Sequence, residues 1–314
     1  MAISVAASTL DDLLRKTYSE ILDSGVRLTA SRGDTHEVVG AMLELENPRA
    51  RLSRSATRRR LCSALAELCW YLSGSNQPDQ IVHYIPIYSK EVEEDGTING
   101  AYGPRIYGTG ANAQIENAVK ALNANPSTRR AVVQIFDKSD VFSEKRFKDI
   151  PCTNTIQFLI RMDKLDMVVN MRSNDAYLGL PHDVFVFTMI QELVSRELGV
   201  ELGKYVHMVG SLHLYELHRD SVEDFIGEGW QSTDGAMPPM PPDSQSAQVA
   251  QFIKAEKSSR ENLEYGSYAI PTESYWANLA RIFIYREKKA NGDALGASRV
   301  RDDIDDLSLK EFLA

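Results

Sequence analysis

Cysteine is scarce in this sequence. The chain of 314 residues contains three cysteines, at positions 62, 69 and 152, an odd number spread widely along it. A chain of this length can build a hydrophobic core without covalent cross-links, so a disulfide framework is not expected. The sequence therefore predicts a protein of a reducing compartment, the cytoplasm.

Long apolar runs and excess basic charge are also missing. No run approaches the roughly 20 apolar residues of a membrane-spanning helix, and the N-terminal segment lacks the basic start and apolar stretch of a secretory signal. Asp and Glu outnumber Lys and Arg by 44 to 35, a formal net charge of −9. Because neutralising a nucleic-acid backbone requires a basic surface, a protein that coats nucleic acid is not expected, and any bound phosphate should be small and held locally.

The residues that are present fit a mixed α+β fold. Hydrophobic residues make up 43% of the chain, enough for one large core or two modest ones. Helical spacing of apolar residues predicts helices over 10–23, 57–72, 184–198 and 212–226. Apolar runs of strand length occupy 37–45, 131–136, 155–161 and 165–171, and the last two are expected to form a hairpin.

The segment 231–248 differs in composition from the rest of the chain. Its sequence, QSTDGAMPPMPPDSQSAQ, is rich in Pro, Ser and Gln, which is typical of a loop or an insertion. A linker to a second domain is the alternative, but the 66 residues that follow are few and polar for an independent fold. We therefore expect one domain over residues 1–314.

Four short motifs stand out from this background. They are Arg129-Arg130, Pro151-Cys152-Thr153-Asn154, Arg172-Ser173-Asn174-Asp175 and Gly179-Leu180-Pro181-His182-Asp183. Each has an ordinary structural explanation when taken alone. An arginine pair is more often a solvated surface than an anion site, a cysteine at a strand start is commonly a small core residue, and a Ser-Asn-Asp run can be a simple turn.

Together, the order and spacing of these motifs resemble the thymidylate synthase superfamily over residues 10–225. The segments PCTNTIQFLIR, VVNMRSND and VGSLHLYELH are most similar to its pyrimidine hydroxymethylase branch, and Thr153 stands where ordinary thymidylate synthases have His after the cysteine. The resemblance implies a thymidylate synthase-like α+β fold, with a mixed β-sheet covered by helices and a homodimer formed through the sheet.

The resemblance also implies a catalytic role for Cys152. In this family a thiolate adds to C6 of the pyrimidine, and C5 then accepts a one-carbon unit from 5,10-methylenetetrahydrofolate. A free thiol with a pKa of about 8.5 is mostly protonated at neutral pH, so a nearby cation should favour the thiolate, and Arg172 is the family's candidate. Tyr102 matches the active-site tyrosine. Glu67 matches the glutamate that moves protons, although the residues alone would favour a surface carboxylate on a helix.

Further matched residues are implied to bind the substrates. Those assigned to the nucleotide are Arg32, Arg129, Arg130, Arg172, Ser173, Asp183, His213 and Tyr215. Guanidinium groups suit the phosphate because their planar donors grip two oxygens at once. Arg129 and Arg130 are implied to reach the partner's phosphate across a twofold axis, and His213 and Tyr215 to bind the sugar 3′-hydroxyl.

The folate side of the site is implied by a second set of matches. It comprises Tyr88, Asp175 and Gly179, of which Asp175 is also expected to serve catalysis. The three histidines 207, 213 and 218 lack the spacing of a zinc motif, so no metal is expected.

Residue 183 bears on the choice of base, because thymidylate synthases carry Asn there and this chain carries Asp. Cytosine offers an acceptor at N3 and a donor at the 4-amino group, and uracil offers the reverse. A carboxyl group suits cytosine and, when ionised, leaves uracil O4 facing no donor. We therefore expect a cytidine-type nucleoside monophosphate, with dCMP slightly favoured over CMP by the RSND likeness. Asp183 as a helix N-cap ahead of Val184 is the structural alternative, and the two roles are compatible.

Other departures from the synthases predict that water, rather than hydride, completes the reaction. Tyr88 stands where synthases place a tryptophan, Ser211 replaces the Asp of their GDxH pattern, and the C-terminal EFLA does not resemble the tail that closes their site. The expected activity is a (d)CMP 5-hydroxymethylase. The alternatives are a thymidylate synthase or other pyrimidine nucleotide C5-methylase and, less favoured, a non-catalytic nucleotide-binding regulator.

Overall fold

The computed structural model describes residues 2–30, 33–56, 60–142, 144, 146–230, 236–261 and 270–313. The strands are β1 (Ile3–Ala7), β2 (Val26–Ala30), β3 (Gly33–Leu45), β4 (Val132–Gln134), β5 (Thr153–Arg161), β6 (Lys164–Asp175) and β7 (Glu201–Tyr215). In the described residues they form one seven-stranded sheet in the order β1-β3-β7-β6-β5-β4, with β2 paired to β3. The sheet is mixed, because β1 runs parallel to β3 and β6 parallel to β7, while the other pairs are antiparallel.

The α-helices occur before, between and after the strands. They are α1 (Leu10–Ser24), α2 (Leu61–Leu72), α3 (Pro78–Tyr84), α4 (Gly103–Ile106), α5 (Gln114–Ala124), α6 (Leu180–Leu198), α7 (Arg219–Gly227), α8 (Ser246–Arg260), α9 (Ser274–Ala290), α10 (Ala294–Asp302) and α11 (Leu307–Lys310). Helices α1, α5 and α6 pack on one face of the sheet. No helix among the described residues is both long and apolar enough to cross a membrane.

Most of the predicted elements are confirmed, with shifted ends. The hairpin expected from 155–161 and 165–171 is β5–β6, in which Arg161 pairs with Lys164. Its two turn residues, Met162 and Asp163, have φ of 51° and 58°, the left-handed conformation that a two-residue hairpin turn requires. The predicted helix 57–72 begins at Leu61 in the structure.

The helix predicted over 212–226 is wrong in its first part. Strand β7 continues to Tyr215, and the helical segment is α7, Arg219–Gly227. Leu212 and Leu214 are fully buried, and β7 is hydrogen-bonded to β3 on one side and β6 on the other. These residues form a strand because they pair with two long neighbouring strands, and the local spacing of apolar residues carries no information about that pairing.

The start of α6 corrects a second expectation. The helix begins at Leu180 with Gly179 at the N-cap and a proline in its first turn, a favoured place for proline. Asp183 therefore lies in the first turn rather than at the N-cap, so the capping alternative for this residue is wrong.

On the opposite face of the sheet, several apolar side chains are not covered by any helix among the described residues. Met42, Val132 and Met208 are 40%, 44% and 39% exposed there. The adjacent residues on these strands, Leu43, Val133 and Val209, are buried. The sheet thus has one face in the core and a second face on which these side chains are exposed.

The residues after 235 pack onto the same core. Residues 236–245 have neither helix nor strand, and α8 begins at Ser246, so the Pro-rich loop ends earlier than expected. Helices α8 and α9 pack against α2, and the fully buried Phe252, Trp276 and Phe283 belong to one hydrophobic cluster with the sheet residues.

Candidate active site

Glu67 is a buried carboxylate on α2, so its interpretation as a surface residue is wrong. The hydroxyl groups of Tyr71 and Tyr88 each donate a hydrogen bond of 3.1 Å to its Oε1. Tyr71 is one helical turn away on the same face, and Tyr88 comes from the 3₁₀ segment Pro86–Glu91. Burial raises the pKa of Glu67, and the two tyrosine hydrogen bonds oppose this effect.

Tyr102 joins this group to the segment around Cys152. Its ring centroid lies 4.9 Å from that of Tyr71, and its hydroxyl accepts the backbone N–H of Thr153 at 3.0 Å. Cys152 is half-buried at the start of β5 and packs on the core. Burial, and then the nearby charge of Cys152, raise the pKa of Tyr102. The thiol and the phenol are therefore electrostatic neighbours.

Arg172 holds the same segment from the neighbouring strand β6. Its Nε donates to the carbonyl of Pro151 at 3.0 Å and its Nη2 to that of Ile150 at 2.9 Å. Its backbone N–H donates to the carbonyl of Cys152 at 2.8 Å. The guanidinium thus lies along the residues that lead into Cys152, and its remaining N–H donors are on an exposed side chain.

Asp183 projects from the first turn of α6 toward β6. Asn174 Nδ2 donates to Asp183 Oδ2 at 2.6 Å. The residue keeps some solvent access, yet burial raises the pKa of its carboxyl well above the ordinary value, and the negative charge of Glu67 raises it further. The protonated carboxyl is favoured, so Asp183 can both donate and accept a hydrogen bond.

Behind Asp183, two residues that the sequence analysis assigned no function extend the polar contacts into the core. His207 Nε2 is 3.2 Å from Asn174 Oδ1, and His207 Nδ1 is 2.7 Å from the hydroxyl of Tyr205. Both residues of β7 are fully buried. Burial lowers the pKa of His207 to about 3, so its ring is neutral at physiological pH. The sequence shows that Tyr205 and His207 lie on the same face of a strand. The contact of His207 with Asn174 could not be predicted, because it depends on the parallel pairing of β6 and β7.

Polar residues also line the adjoining ends of β3, β6 and β7. Asp175 is the register partner of His213, and Ser173 that of Ser211. The hydroxyl of Ser211 donates to the carboxylate of Glu37 on β3.

The turn after β6 is fixed by Asp175 itself. Its Oδ1 accepts the backbone N–H groups of Tyr177 and Leu178 at 2.8 and 2.9 Å. A Cβ atom on Gly179 would lie 3.0 Å from Asn174 Nδ2, so glycine allows the close approach of this turn to the site. Asp175 and Gly179 thus lie beside Asp183, and Ser173 and His213 lie on the paired strands that lead to this turn.

Two arginines that were expected at the site make no polar side-chain contact with the site residues that the structure describes. Arg129 and Arg130 are exposed, and neither guanidinium makes a hydrogen bond or ion pair with a described residue. Arg32 lies outside the described residues. Among the residues described, no group of three or more His, Cys, Asp or Glu side chains is arranged to hold a metal ion.

Comparison with known proteins matches residues 14–241 to the thymidylate synthase family model. The chain is 33% identical over 194 residues to a deoxyuridylate hydroxymethyltransferase of Delftia phage PhiW-14, covering 58% of this chain and 54% of that protein. It is 29% identical over 169 residues to thymidylate synthase 1 of Bacillus spizizenii, covering 51% of this chain and 60% of that protein. The chain thus spans between half and two thirds of the length of these curated relatives.

A solved structure supports the same fold. The thermostable thymidylate synthase A from Bacillus subtilis aligns with a TM-score of 0.62 at 24% identity, over 75% of this chain and 90% of that one. The thymidylate synthase-like α+β fold expected from the sequence is confirmed. With a family model that matches 228 of the 314 residues, from 14 to 241, this chain belongs to the thymidylate synthase family.

Proposed function

We propose that this protein is a (d)CMP 5-hydroxymethylase, an enzyme that transfers a one-carbon unit to C5 of a cytidine-type nucleoside monophosphate. The observation that carries the proposal is the carboxyl group of Asp183, which is hydrogen-bonded by Asn174 and has a raised pKa. The co-substrate 5,10-methylenetetrahydrofolate supplies the one-carbon unit. Tyr88, Asp175 and Gly179 are the residues proposed to lie on its side of the site.

Cys152 provides the nucleophile in this proposal. Its thiolate adds to C6 of the pyrimidine and makes C5 nucleophilic, and the thiolate leaves again when product is released. Arg172, which borders the cysteine segment, supplies the positive charge that favours the thiolate. Together with Ser173 it is also proposed to bind the phosphate.

Glu67 and Tyr102 are proposed to manage protons around the base. Burial raises the pKa of the Glu67 carboxyl, which makes it easier for this group to hold a proton that it can pass to the base. The hydrogen bonds from Tyr71 and Tyr88 hold this carboxyl in place. His213 and Tyr215 are proposed to bind the sugar.

A protonated Asp183 explains a preference for cytosine. Its O–H donates to N3, and its carbonyl oxygen accepts from the 4-amino group, which gives two complementary hydrogen bonds. The phage relative is named as an enzyme of deoxyuridylate, so its name supports hydroxymethyl transfer but not this base.

The completed site is proposed to belong to a homodimer. The exposed Met42, Val132 and Met208 give the sheet an apolar face on which a second copy can pack. Arg129 and Arg130 lie exposed at the β4 edge of that sheet, with guanidinium groups available to a phosphate in the partner. We further propose that residues 1–314 form one catalytic domain that works in a reducing cytoplasm, where its three free thiols persist.

A thymidylate synthase is the second candidate, favoured by the 29% identity to the Bacillus spizizenii enzyme. The two candidates differ in product. A hydroxymethylase adds CH2O to the nucleotide and releases tetrahydrofolate, whereas a synthase adds CH2 and releases dihydrofolate.

Product analysis with four nucleotides tests the proposal. The protein is incubated with methylenetetrahydrofolate and CMP, dCMP, UMP or dUMP, and the products are identified by mass spectrometry. A 5-hydroxymethylcytidine nucleotide with tetrahydrofolate supports the proposal. A methylated product with dihydrofolate, or a preference for the uracil nucleotides, overturns it.

A further inference from the structure

Four buried or half-buried side chains form a continuous hydrogen-bonded chain that ends at the proposed base-recognition residue. Tyr205 Oη is 2.7 Å from His207 Nδ1, His207 Nε2 is 3.2 Å from Asn174 Oδ1, and Asn174 Nδ2 is 2.6 Å from Asp183 Oδ2. Tyr205 and His207 are 0% exposed and Asn174 is 4% exposed. The chain therefore lies in the interior, where an unpaired polar group is costly.

The donors in this chain all point toward Asp183. Tyr205 can donate its O–H only to His207, because no other hydrogen-bonding group contacts its hydroxyl within the part of the protein that the structure describes. His207 Nδ1 is then the acceptor, and its neutral ring carries its proton on Nε2. Nε2–H donates to Asn174 Oδ1, which leaves the amide NH2 to donate to Asp183.

The opposite direction leaves a group unsatisfied. If Asp183 donated to Asn174, the amide would donate to His207 Nε2, and His207 would donate from Nδ1 to Tyr205. The tyrosine O–H would then be a fully buried donor without an acceptor, which native structures avoid. The burial of Tyr205 thus selects one direction for the whole chain.

This direction matters because a carboxylic acid with a mobile proton can pair with either base. With its proton on one oxygen it matches cytosine, and with its proton on the other it matches uracil. Asn174 Nδ2 donates to Asp183 Oδ2, and a carbonyl oxygen accepts a hydrogen bond better than a hydroxyl oxygen does, so the proton of Asp183 is favoured on Oδ1. Oδ1–H can then donate to cytosine N3 while Oδ2 accepts from the 4-amino group.

We infer that His207 and Tyr205 are positioning residues for base specificity, which act through Asn174 to fix the proton-bearing oxygen of Asp183. The inference deepens the proposed function and rests on it. It assigns a task to three residues that contact no substrate themselves. Breaking this series of hydrogen bonds should allow uracil nucleotides to bind and react, and it should not merely weaken the binding of cytosine nucleotides.

Variants of His207 test the inference through the ratio of kcat/KM for dCMP to that for dUMP. His207→Leu removes both ring nitrogens, and the ratio should fall by about tenfold to a hundredfold, mainly because dUMP turnover rises. His207→Gln keeps one donor and one acceptor, so it should restore most of the ratio. Tyr205→Phe keeps the ring and should give a smaller fall in the same direction.

The matched control is Val209→Ala, on the same strand and buried but apolar. Its cavity should lower stability and leave the ratio unchanged. Because the ratio is taken within one preparation, the active fraction cancels. A wild type that prefers dCMP together with an unchanged ratio in His207→Leu overturns the inference and leaves the proposed function standing. A wild type that prefers dUMP overturns the proposed function and the inference with it.

A second measurement needs no turnover. Nitrogen-15 NMR of the histidine rings in the folded wild type reports which nitrogen of His207 carries the proton, once its signal is assigned with His207→Gln. The Nε2–H tautomer is expected at neutral pH. An Nδ1–H tautomer, or a protonated ring, reverses the direction of the chain and overturns the inference even if dCMP is the substrate.

Discussion

After burial itself, the negative charge of Glu67 is the largest influence that raises the pKa of Asp183, although the two residues belong to different helices. A group whose pKa is raised is protonated over a wider pH range in the folded protein than in the unfolded chain. Any property that requires the protonated carboxyl is therefore fully present at low pH, and it is lost as the pH rises through the folded-state pKa. If the protonated carboxyl of Asp183 selects the base, the preference for cytosine should depend on pH in the same direction.

The ratio of dCMP affinity to dUMP affinity should therefore be high at low pH and should fall as the pH rises through the pKa of Asp183. Equilibrium binding to wild type across pH measures it, and the phosphate ionisation cancels because both nucleotides share it. Asp183→Asn has no titrating group at this position, so its ratio should lose this dependence. A fall of equal size in Asp183→Asn would assign the titration to another group.

Asp183→Asn should also reverse the base preference. The carboxamide offers a donor to uracil O4 and an acceptor to N3–H, and it leaves cytosine with two mismatched groups. Each buried unpaired group costs about 1–3 kcal/mol, so the ratio of kcat/KM for dCMP to dUMP should drop by roughly tenfold to a hundredfold per group. Steady-state kinetics with both nucleotides measure the change. An unaltered preference would exclude Asp183 as the residue that reads the base.

Cys152→Ala should abolish product formation, with a loss of kcat of at least about a thousandfold, because the alanine variant has no group that can bond to C6. The control is Cys62→Ala, since burial raises the pKa of Cys62 to about 12 and keeps that thiol protonated. It should retain most of the activity. Covalent capture of a 5-fluoropyrimidine nucleotide, followed by peptide mass spectrometry, should label Cys152 in wild type. Label on Cys62, or activity in Cys152→Ala, would contradict the proposed mechanism.

The local parts of the site were predictable from sequence, and the parts that depend on strand pairing were not. Cys152 and Arg172 lie in motifs that keep their order along the chain, so both could be assigned to the predicted site, and the structure places Arg172 against the segment that contains Cys152. His207 was considered only as a metal ligand, because its contact with Asn174 exists only once β6 and β7 pair in parallel. The helix wrongly expected from residue 212 has the same origin, since tertiary pairing overrode local spacing.

Complementation between inactive variants should reveal a shared site. If Arg129 and Arg130 act on the partner's phosphate, a double Arg129→Ala, Arg130→Ala variant and Cys152→Ala should each be nearly inactive. Mixed and refolded together, they should recover activity, because a heterodimer contains one site with a native cysteine and native arginines. Met208→Glu on the exposed sheet face should give a monomer by light scattering. A mixture as inactive as its components would argue against arginines that act across an interface.

The Pro-rich segment offers a stability prediction away from the chemistry. Glu192 on α6 is fully buried and accepts hydrogen bonds from Arg51, from Arg49 Nε at 2.8 Å and from the backbone N–H of Met240 at 3.0 Å. One carboxylate thus connects the helix, the segment after β3 and the Pro-rich loop. Burial alone would raise its pKa, but the charge of Arg51 and the hydrogen bond from Arg49 outweigh burial and lower it.

Glu192→Gln should therefore destabilise the protein by about 3–5 kcal/mol, because it leaves the charge of the fully buried Arg51 uncompensated. Urea unfolding measures the change. Since the pKa is lowered on folding, the contribution of Glu192 is present above its unfolded pKa, about 4.3, and is lost as the pH falls through the folded value. Wild type should lose this increment on acidification, and Glu192→Gln should not.

Two further variants test whether Glu192→Gln destabilises the protein through an uncompensated charge or through lost contacts. Arg51→Met combined with Glu192→Leu removes both charges and should recover much of the lost stability, because a buried pair contributes little beyond what apolar side chains of similar volume give. Glu116→Gln breaks the exposed pair with Lys120, in which both side chains are about two thirds exposed, and should leave the unfolding free energy nearly unchanged. If the double variant is as unstable as Glu192→Gln, the carboxylate acts mainly by holding Met240 and the loop, and the uncompensated charge is not the cause.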